Sequence, residues 1–137
     1  MSSVPRLRRY LERQKGAFEA LSAILDRQED SIRRGDADLL AVQMQAERAA
    51  VDGLAALERS IQALRQAGAR DPSLGGLEEE VEQARRAALG RNRRNREILG
   101  NALGELRQRL RELQGRPRTP DSPFADIGRP TVVDLLS

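Results

Sequence analysis

The chain has 137 residues, with 24 basic and 21 acidic side chains and neither cysteine nor histidine. That composition excludes disulfides, zinc sites built on Cys or His, and catalysis by a histidine base. Tyr10, Phe18 and Phe124 are the only aromatics, and the apolar content is mostly Leu and Ala, a mix that predicts helices packed on helices.

The net charge of +3 conceals an alternation along the chain. Residues 1–16 carry +4, residues 17–84 carry −7, residues 85–118 carry +8 and residues 119–137 carry −2. A basic start, an acidic middle and a basic third segment suit antiparallel packing of complementary faces. Arg outnumbers Lys 23 to 1, which is read as genomic base composition and not as chemistry. No stretch approaches the roughly 18 apolar residues of a membrane span. The basic start "MSSVPRLRRYLERQKG" has no apolar run behind it, so a secretory signal is not expected. A cytoplasmic location is.

The first predicted helix covers about 6–34. Leu7, Leu11, Gln14, Phe18, Leu21, Leu25, Gln28 and Ile32 recur in steps of four and three, the seam of a coiled coil or bundle helix with two glutamine layers. "RRGD" ends it, with Arg33 and Arg34 in the last turn and Gly35 past the end. Asp36 can cap a second helix over about 37–67. So short a link predicts an antiparallel hairpin. The second stripe reads Leu40, Met44, Glu47, Val51, Leu54, Leu57, Ile61 and Leu64, with a phase shift between Leu54 and Leu57.

"AGARDPSLGG" interrupts the pattern: Gly68 ends the second helix, while Asp71 and Pro72 suit a cap and a first helical position. A third helix is predicted over about 76–114. Its stripe is Leu77, Val81, Ala84, Ala88, Asn92, Asn95, Leu99, Leu103, Leu106, Leu110 and Leu113. Asn92 and Asn95 form a polar layer on it, and Arg91, Arg93, Arg94 and Arg96 fall mostly away from it. Gly90, Gly100 and Gly104 each cost a helix interior about 0.8–1 kcal/mol relative to Ala, so they predict close packing or a marginally stable stretch. After Gly115 the prolines gather, and residues 115–137 read as a Pro-rich flexible tail. Phe124, Val132, Val133, Leu135 and Leu136 are its candidate docking points. The fold expected is all-α: an antiparallel hairpin plus a third long helix, an elongated coiled-coil-like three-helix bundle over 1–114 with a mostly irregular C-terminal tail.

No serine has a histidine to activate it, and the lone Lys15 lies in a polar segment, so no enzyme is expected and no cofactor. Glu79 and Glu82 share a helical face, but a bundle di-iron site would need Glu-x-x-His pairs. The glutamates suit the first turns of the third helix instead. An Arg-rich helix can track nucleic-acid phosphates. No aromatic stands near these arginines to stack on bases, and the acidic middle segment offers internal partners.

The remaining candidate is apolar surface. Ile98, Leu99, Leu103, Leu106, Leu110 and Leu113 form the strongest run, and left exposed they would bind a partner helix, from a second copy in a weak homodimer or from another protein. "LSAILDRQEDSIRRGDADLLAVQMQAERAAVDGLAALE", with its helix, GD turn and second helix, and "NRRNREILGNALGELRQRL", with its Asn-x-x-Asn, carry a resemblance over roughly residues 7–113. The chain resembles the FlgN family of flagellar type III export chaperones. The resemblance implies a cytoplasmic helical chaperone. It would hold terminal helices of hook–filament junction proteins on the stretch Leu99–Leu113 and deliver them to the export gate. It implies gate docking through a C-terminal tyrosine, where this tail offers only Phe124. Two other readings are a coiled-coil scaffold or stalk of a secretion apparatus, such as the hairpins associated with the export ATPase, and an Arg-rich nucleic-acid binder.

Overall fold

The structure, a computed structural model, describes residues 3–115. Within them the chain is all-α, with helices packed on one another and no strand. Helix α1 spans Ser3–Arg34, α2 Ala37–Gln66 and α3 Gly75–Gln114, with a single 3-10 turn at Pro72–Leu74 before α3. Two compact units are distinguished, Met1–Asn95 and Arg96–Ser137, where the sequence pattern predicts one domain over 1–114. The tail positions Phe124, Val132, Val133, Leu135 and Leu136 lie outside the described residues.

The turns form for local reasons. Gly35 takes φ +70°, a conformation that a Cβ disfavours. Its N–H reaches Ile32 O at 3.1 Å, and the Asp36 N–H reaches Ser31 O at 3.0 Å, so two of the four last carbonyls of α1 are satisfied by the turn. Asp36 then caps α2, its Oδ1 accepting from the Leu39 N–H at 3.1 Å. At the other end Gly68 sits at φ +94°. Asp71 accepts from the Ser73 N–H at 2.9 Å to start the 3-10 turn, with Pro72 at its first position.

In the first unit the hairpin register can be followed from one polar bridge to the next. Gln14 donates to Glu58 at 2.8 Å, Gln28 to Glu47 at 2.7 Å, and Ser31 to the Gln43 side-chain oxygen at 2.8 Å. As the α1 number rises the α2 number falls, which is the antiparallel order. Along α3 the order is parallel: Lys15 pairs with Glu80 at 3.5 Å, Asp26 with Arg91 at 2.9 Å and Glu29 with Arg94 at 2.6 Å.

Between the bridges lie two apolar clusters. Leu7 and Leu11 meet Ile61, Ala69, Leu74 and Val81 near the α2–α3 link. Leu21 and Leu25 meet Leu54 and Ala88 further along, and half-buried Phe18 packs on both clusters. Each fully buried leucine contributes about 1.5–3 kcal/mol. The α2 stripe departs from expectation at one place. Val51 is exposed and Ala50 packs against the core instead. With Ala50 in the seam the steps through 47, 50, 54, 57 and 61 alternate three and four without a phase shift, and the larger Val51 turns out to the flank.

Candidate helix-binding surfaces

Asn95 is 5% exposed and donates its Nδ2 to the Leu25 carbonyl of α1 at 2.7 Å. That carbonyl already serves the α1 ladder and has a second lone pair to give. The asparagine therefore fixes α3 on α1 within the first unit. Asn92 is half-buried. Two of the four neighbouring arginines turn to α1 carboxylates, Arg91 to Asp26 and Arg94 to Glu29. Arg93 and Arg96 are exposed and make no ion pair among the described residues. The sequence "LGRNRRNREILGNAL" is thus helix, with an inward amide and an outward basic face.

The first unit also holds a groove that the heptad reading does not predict. α2 and α3 both lie against α1, and Arg65–Glu78 at 3.4 Å bridges them at the link end. Beyond it they leave a furrow of about 650 Å³ floored by Phe18 and Leu21 and walled by Val51, Leu54, Val81 and Leu89. Val51 and Leu89 are exposed on its flanks. The sequence signal for Leu89 is indirect. The stripe position beside it is Ala88, and a small residue on the seam leaves its larger neighbour outside. Glu58 stands at the rim. The side-chain hydrogen bond from Gln62 holds its carboxyl below the usual range, against the opposing effect of burial. Gln14, Arg65 and Arg85 act in the same direction as Gln62.

The second unit is described up to Gly115. Its residues 105–114 are Leu, Arg, Glu and Gln alone, all good helix formers, and the Gly115 N–H closes on Arg111 O at 2.9 Å. Ile98 and Leu99 are half-buried and Leu103 is buried. Leu106 is 46% exposed, Leu110 half-buried and Leu113 38% exposed. Steps of four and three put the last three leucines on one helical face. Around them stand Arg107, Arg109 and Arg111 with Glu105 and Glu112.

A Cβ built at Gly90, Gly100 or Gly104 meets nothing within 4 Å. Packing within the described residues does not require these glycines. Glu82, one of the two acidic residues on a shared face, is occupied by Arg85 and Arg86 at 3.1 and 3.2 Å. Among the described residues no group of three acidic, His or Cys side chains could hold a metal, and no helix is long and apolar enough to cross a membrane. No protein-family model, curated protein or solved structure matches the chain.

Proposed function

We propose that the protein is a helix-binding chaperone that takes an amphipathic helix of a client against Leu106, Leu110 and Leu113. The observation that carries this reading is the exposure of Leu106 and Leu113 on the same face as Leu110. Large apolar side chains repeated at helical spacing in water are what a partner helix covers. Burial of such a face contributes about 25 cal/mol per Å² of apolar area, set against the cost of ordering the client. Arginines along the same turns favour a client with acidic flanks and speed its encounter.

The resemblance to the FlgN family supplies the client class: terminal helices of hook–filament junction proteins, held in the cytoplasm and handed to the type III export gate. The α1–α2 hairpin with its GD turn and the Asn-x-x-Asn of α3 are the features that support this choice. Ile98, Leu99 and Leu103 precede this face along α3.

The test is binding of a synthetic terminal helix from a hook–filament junction protein of the same organism, followed by calorimetry. A one-to-one complex is expected. Leu106→Asp with Leu113→Asp should weaken it at least about tenfold, since each covered leucine is worth about 1.5–3 kcal/mol. Unchanged affinity in the double variant would remove the site. No binding by the unaltered protein to any junction-protein helix would remove the client class.

A further inference from the structure

α2 carries a second apolar stripe, which the hairpin does not use. Leu39, Val42, Ala46, Ala49, Gly53 and Ala56 follow one another in steps of three and four, and the same alternation runs on through Ser60 and Ala63 to Ala67. Every one of these positions is exposed except half-buried Ser60, and Val42 is 63% exposed. The stripe runs beside the buried one, Leu40, Leu54 and Ile61, and is about 42 Å long at 1.5 Å per residue. A 3-4 repeat of apolar and small residues over four heptads, broken only by the hydroxyl of Ser60, has the spacing of a helix seam. Here it faces water.

Charge on the flank says what covers it. Asp52 and Arg59 lie one heptad apart on the same side of the stripe, both exposed, and neither makes an ion pair among the described residues. When two copies of one seam pack antiparallel, flanking positions of this kind meet their own kind on the other helix. Setting Gly53 of one copy against Ala56 of the other brings Asp52 beside Arg59 of the second copy. The two-fold axis repeats that pair. The same register sets Ala46 against Ala63, Ala49 against Ser60 and Val42 against Ala67. A parallel pairing brings neither charge to its opposite. The small residues let the two helices approach closely, toward the short end of the usual 8–10 Å separation. A Cβ at Gly53 would meet nothing within 4 Å in the single chain, so the chain's own packing does not ask for a glycine at the position where the two helices would cross.

We propose that the protein forms a symmetric antiparallel dimer through this outer face of α2, with reciprocal Asp52–Arg59 pairs flanking a seam of small residues. The proposal uses no residue of the client-binding face and stands or falls apart from it.

Sedimentation equilibrium of the full chain over a wide concentration range tests it. The unaltered protein should show a reversible dimer. Ala56→Glu should weaken the dimer at least about tenfold by placing a carboxylate in the seam, with helicity by circular dichroism unchanged. Asp52→Arg alone and Arg59→Asp alone should each weaken self-association. An equimolar mixture of those two variants should recover it as a heterodimer, and so should the double exchange in one chain. A protein that stays monomeric at every concentration overturns the proposal. So does a dimer that ignores the charge exchanges or is not restored in the mixture. Leu106→Asp with Leu113→Asp should leave the dimer intact, which separates a failure here from a failure of client binding.

Discussion

Asn95 shows what one buried amide does in a chain with so few large side chains. Its hydrogen bond to the Leu25 carbonyl crosses from α3 to α1 in a site closed to water. Asn95→Leu should cost about 1–3 kcal/mol, because the amide is lost and a bulkier group meets the α1 backbone. Thermal melting would show it, and a melting temperature unchanged from the parent would argue that the bond contributes nothing. Glu58 gives the molecule a specific acid response. Its folded-state carboxyl is held below the ordinary value of 4.5 first by Gln62, then by Gln14 and the arginines at 65 and 85. A lowered pKa means the stabilisation is present above the unfolded value and is lost as pH falls through the folded one. Unfolding free energy should therefore drop on acidification below about pH 4.5, and Glu58→Gln should flatten that part of the profile. A profile with the same slope in the variant would assign the acid response to other carboxylates.

At the scale of elements, the glycines divide into two kinds with opposite expected behaviour. Gly35 closes the hairpin at φ +70°, and Gly35→Ala should destabilise by about 1 kcal/mol or more because alanine resists that conformation. Gly90 lies inside α3 with open space where a Cβ would go, and Gly90→Ala should stabilise by about 0.8–1 kcal/mol. Denaturant midpoints of the two variants should move in opposite directions, and a shift the same way would contradict the assignment. The heptads of α1 and the capping residues Asp36 and Asp71 were legible from the sequence because each follows from local chemistry. The seam glutamines were legible as polar layers, but Glu58, Glu47 and Gln43 as their partners were not, since pairing depends on register between helices. Val51 was misplaced for the same reason. Its step of four from Glu47 suits a helix face, yet Ala50 is the residue that packs on the cluster of Leu21 and Leu25. The outer stripe of α2 was there to be read as well, but a pattern of alanines is masked by the leucines beside it.

At the scale of the whole molecule, two surfaces with different chemistry are proposed on different helices: large leucines at the end of α3 and small residues along α2. Variants that disable one should spare the other. A mixing experiment can then ask whether Ala56→Glu protein still binds a client helix with the affinity of the parent; a loss of affinity there would mean that client capture needs two chains. The line between Met1–Asn95 and Arg96–Ser137 has no mark in the sequence, because α3 runs through it with an unbroken apolar period. One further consequence lies in the ladder of bridges within the hairpin, Gln14 with Glu58, Gln28 with Glu47 and Ser31 with Gln43. Leucine meets leucine almost as well after a slip of one heptad, so greasy contacts alone would tolerate mistakes in alignment. A hairpin slipped by one heptad would set Glu58 against Leu21 and Gln28 against Leu54, and each would lose the polar partner it has now. The amides and carboxylates thus work as a vernier, and a newly made chain can close its first two helices in one alignment only.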